Sequence, residues 1–185
     1  MTTYAQVAKR LRLPLGFVLA AFYLAFARPT PPTFVVGGAI AFVGLLVRAW
    51  ASGHIVKNDR LATTGPYAHT RNPLYFGSFL IAAGFAIAAH WMLLLIVIAF
   101  WVLVYGPTME RERQKVSGIF PDEYASYSAN VPSFVPRPTP WRPAVRQQES
   151  EAFSFALYMR HKEWKAALGY AAAMAWLWMR MTGVF

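Results

Sequence analysis

The stretch Leu74–Gly106 reads LYFGSFLIAAGFAIAAHWMLLLIVIAFWVLVYG and carries no Asp, Glu, Lys or Arg. Wound as one α-helix at 1.5 Å per residue it would form a rod of about 50 Å. The hydrocarbon layer of a bilayer is about 30 Å thick. The polar break at His90-Trp91 resolves the mismatch, so the stretch reads as a hairpin of two helical arms, Leu74–Ala89 and Trp91–Gly106. Each arm is about 24 Å long. Arms of that length call for a thin bilayer, polar extensions or shelter within a bundle.

Three further apolar blocks flank this hairpin: Leu13–Ala27, Phe34–Trp50 and Trp164–Met181. The chain is 57% hydrophobic with a mean hydropathy of +0.34, above the 45–50% apolar content usual in soluble domains. The expected fold is an all-α integral membrane bundle: a single domain over 1–185, about five transmembrane helices, and a polar cap over 107–163. There are no cysteines, which rules out a disulfide framework, a thiolate metal site and a cysteine nucleophile.

The formal charge of +10 is a topology signal. With the N-terminus inside, the inner segments hold Lys9, Arg10, Arg12, Arg48, Lys57, Arg60, Arg71, Arg111, Arg113, Lys115, Arg137, Arg142, Arg146, Arg160, Lys162 and Lys165. The outer positions hold Arg28 and Arg180. This asymmetry predicts a multi-pass protein with its N-terminus cytoplasmic, its C-terminus outside and its polar regions on the cytoplasmic face. Attraction to anionic headgroups is a second effect of the same charges. No basic–aromatic module stands apart from the apolar blocks, so nucleic acid is not an expected partner. Lys9–Phe26 also has the form of a secretory leader with Ala25-Phe26-Ala27 as the cleavage site. The following Arg28-Pro29 disfavours that reading, and the block is kept as a helix, with Pro29, Pro31 and Pro32 in a tight outer connection.

Two polar regions fall on the inner face. The first, Ala51–Asn72, carries His54, Lys57, Asp59, Arg60 and the turn signal Gly65-Pro66. It ends at Asn72-Pro73, which predicts a helix start at Pro73. The second is too long for a plain connection. It predicts a charged helix over Met109–Phe120 and a short helix over Asp122–Asn130 with Tyr124, Tyr127 and Ser128 on one side. An extended proline-rich run, Val131–Pro140, follows. Glu151–Arg160 is expected to be an interfacial helix with Phe153, Phe155, Ala156 and Tyr158 towards lipid.

These segments hold two spaced motifs. Gly65-Pro66-Tyr67-x3-Arg71-Asn72-Pro73-x-Tyr75-x-Gly77 resembles the first signature of the isoprenylcysteine carboxyl methyltransferase family, which also takes in phospholipid methyltransferase-like proteins. Glu112, Phe120, Tyr124, Tyr127, Val131-Pro132 and Pro136 resemble its second signature, and Gly53-His54 an upstream position. The resemblance runs over residues 44–138. The chain departs from the pattern at Asn72, where many members have His, at Arg113, where many have a second Glu, and at Pro121, where Gly is usual.

The resemblance implies a membrane-embedded methyltransferase that uses S-adenosylmethionine, with the cofactor on the cytoplasmic side under the polar C-terminal region. It implies Arg71 and Glu112 as the catalytic pair. His54, Gly65, Tyr67, Asn72, Pro73, Tyr75, Gly77, Glu110 and Tyr124 are its cofactor-binding candidates, with Glu110 competing with Glu112 as the functional carboxylate. The acceptor is a lipid or another amphipathic molecule and presents either an amine, which must lose a proton, or a carboxylate, which is already nucleophilic. No His/Asp/Glu cluster has ligand spacing, so no metal is expected. Two other classes stay open: an NADPH-using enzyme like the membrane sterol reductases, which are similar in the C-terminal region, and a non-catalytic scaffold or transport subunit. Gly37-Gly38, Gly44, Gly77 and Gly84 on short helices suit close packing with a partner in a homo-oligomer.

Overall fold

A computed structural model describes residues 4–55, 61–142 and 152–184; between residues 4 and 13 the side chains described are those of Val7, Arg10 and Leu11. Lys9, Arg12, Lys57, Asp59, Arg60, Arg146 and Glu151, used above as charge markers or helix bounds, lie outside the described side chains. Eight α-helices follow in order: α1 Tyr4–Phe26, α2 Pro31–Ser52, α3 Pro73–Ala89, α4 Met92–Phe100, α5 Gly106–Ile119, α6 Pro121–Asn130, α7 Phe155–Arg160 and α8 Trp164–Thr182. A short 3-10 turn spans Gly65–Ala68, and a π-helical turn, Trp101–Tyr105, joins α4 to α5. No strand occurs among the described residues.

The hairpin turns where the sequence breaks. α3 ends at Ala89, His90 is extended, and α4 starts at Met92. The fourth arm, however, does not stop at Gly106. It continues through the π turn into the charged α5, so that Met92–Ile119 is one run of 28 residues. Pro107 stands at the second residue of α5, directly after the π turn, so the one N–H it lacks falls where the helical ladder is already irregular. Pro31 and Pro32 open α2 instead of lying in the connection before it, because a missing N–H in a true first turn costs little. Thr30 precedes them, and its backbone N–H donates to Thr33 Oγ1 at 3.0 Å.

The bundle is apolar outside. α4 has no buried residue, and Phe17, Val35 and Val102 are 70%, 64% and 66% exposed. Contiguous exposed apolar surface on this scale marks contact with something other than water. Among the described residues, two helices are long and apolar enough to cross a membrane, Pro31–Ser52 and Met92–Ile119; Pro14–Phe26 and Pro73–Ala89 are apolar but shorter.

Inside, small residues replace a bulky core. α2 and α3 run antiparallel with their backbones in contact. A Cβ on Gly84 would lie 2.5 Å from both Gly37 O and Ala41 N, and one on Gly44 would lie 2.6 Å from Gly77 O. The seven-residue spacing of Gly37/Gly44 matches that of Gly77/Gly84, so both crossings fall on one face of each helix. These glycines are thus occupied within the chain. Gly38 faces Met174 of α8, and its carbonyl accepts a bond from Tyr170 Oη at 3.1 Å. Ala27, Ala88, Ala89 and Leu177 close the opposite end of the bundle.

One ion pair ties three helices together near the polar end. Arg48 of α2 donates from Nε and Nη2 to Glu163, just before α8, at 3.0 and 2.7 Å. Its Nη1 donates to Ser78 Oγ of α3. Both side chains are largely buried, 24% and 12% exposed.

Candidate active site

The first motif forms a turn that only its own residues permit. Gly65 has φ +56°, and a Cβ there would lie 2.5 Å from the His54 ring. His54 is held by its Nδ1, which donates to Trp50 O at 2.9 Å. The 3-10 turn then leads to Pro73 in the first turn of α3.

The proline-rich run is a strap over this turn. Arg71 N–H donates to Pro132 O, Arg137 N–H to His69 O and Trp141 N–H to Ala68 O, each at 2.9 Å. The buried Thr70 hydroxyl donates to Phe134 O at 3.0 Å, and Asn72 Nδ2 donates to Ser133 O at 2.8 Å. Tyr127 Oη reaches from α6 to Tyr67 O at 2.7 Å. The two motifs are therefore one hydrogen-bonded unit, and the prolines serve it by keeping the strap extended.

Between turn, α5 and α6 lies a cleft of about 330 Å³. Tyr67, Arg71 and Asn72 line it from the turn; Glu112, Arg113, Lys115 and Val116 line it from α5; Phe120, Tyr124 and Tyr127 close it. Arg71 Nη1 donates to Tyr124 Oη at 3.0 Å, and its Cζ stands 5.9 Å from that ring's centroid. The Arg71 Nε–H is buried with no acceptor among the described residues. Glu112 accepts a bond from Tyr75 Oη at 3.0 Å, and Tyr75 packs edge-on against Tyr105. Burial pushes the Tyr67 phenol well above its ordinary ionisation range, with the Glu112 charge acting in the same direction. Burial does the same to Tyr127. Both remain neutral hydroxyls at working pH.

The candidates named from sequence separate into groups. Arg71, Glu112, Tyr67, Asn72 and Tyr124 share the cleft. Tyr75 stands behind Glu112 and orients it. His54, Gly65 and Pro73 shape the turn without lining the cleft. Gly77 is a packing glycine, in contact with Gly44 and Arg48. Glu110 points elsewhere: Arg113 Nε donates to it at 2.7 Å, Gln114 at 3.1 Å, and the Arg113 bond holds its carboxyl below the usual range. Arg113 and Lys115 line the cleft, although the sequence reading used them only as inner-face charges and Arg113 as a departure from the family pattern. Their signal was faint, since every side of α5 is charged. The Arg48–Glu163 pair was also missed, although an arginine inside an apolar block is a signal in itself.

Among the described residues, no group of three or more His, Cys, Asp or Glu is placed to hold a metal ion. For an amphoteric ligand the cleft does fit. Its volume lies at the lower end of those that hold drug-sized molecules, and the buried Arg71 Nε–H is able to donate to an anionic group.

Comparison with known proteins agrees with the motifs. The chain is 32% identical over 106 residues to the cobalt-zinc-cadmium resistance protein CzcN of Cupriavidus metallidurans, covering 56% of this chain and 47% of the relative. It is 32% identical over 106 residues to the nickel-cobalt-cadmium resistance protein NccN of Alcaligenes xylosoxydans xylosoxydans, covering 56% and 48%. The matched segment spans about half the length of these curated relatives. No solved structure matches the chain. Residues 34–123, from α2 to the start of α6, match the family model described as phospholipid methyltransferase, the family that the two motifs resemble.

Proposed function

We propose that the chain is a membrane-embedded methyltransferase that uses S-adenosylmethionine and modifies the headgroup of a lipid or another amphipathic acceptor. The observation that carries the reading is the cleft itself, where a guanidinium with an unmet buried N–H and a carboxylate held by Tyr75 line one cavity. In this reading all five apolar helices cross the bilayer, with the N-terminus and the cleft on the cytoplasmic face. The charge asymmetry of the sequence supports that orientation, and the apolar exterior supports the crossing.

S-adenosylmethionine, when bound, supplies an electrophilic methyl group on a sulfonium. The chain supplies recognition and placement. Arg71 offers Nε–H to the cofactor carboxylate, the acceptor best matched to a guanidinium fork. Tyr124 fixes that fork from behind. The faces of Tyr67 and Tyr124 favour a cation by about 0.5–2 kcal/mol. Glu112 is held by Tyr75 at the cavity wall, where it either receives the cofactor ammonium or takes the proton of an amine acceptor. Orienting donor and acceptor away from water can contribute about 7–11 kcal/mol, so the chain needs few reacting groups of its own.

The test is a calorimetric titration of the purified chain with S-adenosylmethionine and, separately, NADPH. It is followed by lipid extraction from membranes incubated with methyl-labelled donor. Saturable S-adenosylmethionine binding and a labelled lipid support the reading. Saturable NADPH binding with no response to S-adenosylmethionine would overturn it in favour of a reductase, and binding of neither would favour a scaffold.

A further inference from the structure

We propose that the end of the bundle opposite the cleft binds one anionic phospholipid in a groove between α1 and α4. The groove has a volume of about 470 Å³ and is lined by Phe22 and Phe26 of α1, Leu95 and Ile96 of α4, and the connection residues Arg28 and His90. The 17 residues of α3 place it about 26 Å from the turn that builds the cleft. It is a second site and does not depend on methyl transfer.

Charge selects the occupant. Arg28 is fixed beside His90 because its backbone N–H donates to Ala89 O at 3.0 Å. Arg180 Nε donates to Ala27 O at 3.5 Å, which places a second guanidinium next to Arg28 although outside the lining of the groove itself. The acidic residues whose positions are described (Glu110, Glu112, Asp122, Glu123 and Glu163) all belong to elements at the cleft end. Arg28 therefore lines an apolar slot with Arg180 near by, and among the described residues no Asp or Glu side chain belongs to this end. A phosphodiester satisfies a guanidinium by parallel N–H···O bonds. A second, zwitterionic-headgroup cation would meet only like charge here.

The slot fits the chain below such a headgroup. Phe22 and Phe26 stack at 5.2 Å and form a continuous wall one helical turn deep, about 6 Å. That depth takes the first methylenes of an acyl chain, and the rest lies along the exposed face of α4.

Native mass spectrometry of the full chain, released from detergent with equimolar phosphatidylglycerol and phosphatidylcholine, tests this. Phosphatidylglycerol is expected to be retained about tenfold over phosphatidylcholine. R28Q should bring the ratio to near parity with the slot intact. L95W should reduce retention of both lipids with the charges intact. Equal retention of the two lipids by the parent chain overturns the proposal, as does an unchanged phosphatidylglycerol preference in folded R28Q or unchanged total retention in folded L95W. The variants alter different walls, and circular dichroism checks each fold, so failure of one to fold leaves the other to decide.

Discussion

Replacing Arg71 by Met separates ligand recognition from stability. Without ligand, two effects oppose. The substitution removes a buried N–H that has no acceptor, worth about 1–3 kcal/mol in favour of the variant. It also removes the 3.0 Å bond to Tyr124, worth about 1.5–3 kcal/mol against it. The backbone bond from residue 71 to Pro132 O survives, so the strap stays in place. Ligand-free stability should therefore change by about 2 kcal/mol or less in either direction. With S-adenosylmethionine the outcome is different. Losing the charge-assisted pairing, about 2.7 kcal/mol, raises Kd about a hundredfold. At a ligand concentration of about 100 times the parent Kd, ligand stabilises the parent by about 2.7 kcal/mol but the variant by only about 0.4 kcal/mol. Calorimetry gives the Kd values, and thermal unfolding with and without ligand gives the stabilities. A folded R71M protein that binds S-adenosylmethionine as the parent does would refute the role assigned to Arg71.

Glu112 and Glu110 should separate just as clearly. E112Q is expected to abolish turnover on an amine acceptor and mainly to weaken binding with a carboxylate acceptor, whereas E110Q, whose carboxylate faces Arg113 and solvent, should leave turnover within about twofold; initial rates on the extracted lipid decide. Among the glycines, G84A places a methyl against the α2 backbone and should cost about 1–3 kcal/mol or more. G118A meets nothing within 4 Å and should be neutral or stabilising by up to about 1 kcal/mol; chemical denaturation in detergent reads both signs. E163Q leaves Arg48 partly uncompensated and should cost about 2–3 kcal/mol, the buried-pair penalty discounted for residual exposure. Protease cleavage in the 152–163 segment should rise with it.

The fold was legible wherever composition changes sharply. His90-Trp91 in an apolar run marks the hairpin, and Pro73 after Asn72 marks the start of α3. Helix ends were less legible, because proline in a first turn and proline in a loop look alike: Pro31 and Pro107 both stand inside helices. The grouping of Arg71, Glu112 and Tyr124 was expected from the resemblance of the two motifs to a known family, and the three line one cleft. The direction of a side chain on a highly charged helix was not legible, and so Glu110 and Glu112 separate only once α5 has a known face. Gly77 shows a further limit. It belongs to the motif by spacing, yet its neighbours are Gly44 and Arg48, so a residue can recur beside a site because it holds two helices together.

The wide turn between α4 and α5 has a consequence for Glu112. A π turn takes up one more residue than an α turn without rotating the helices on either side. If Trp101–Tyr105 rewound as α-helix with no residue removed, everything beyond it would swing by about 100°. Glu112, seven residues past the turn, would leave Tyr75 and face away from the cavity. The stacked rings of Trp101 and Tyr105, 4.0 Å apart, hold the turn in its wide form, and Tyr105 also touches Tyr75. The aromatic pair is thus a phase lock: it sets the angular position at which a carboxylate carried on a long membrane rod arrives at the cavity.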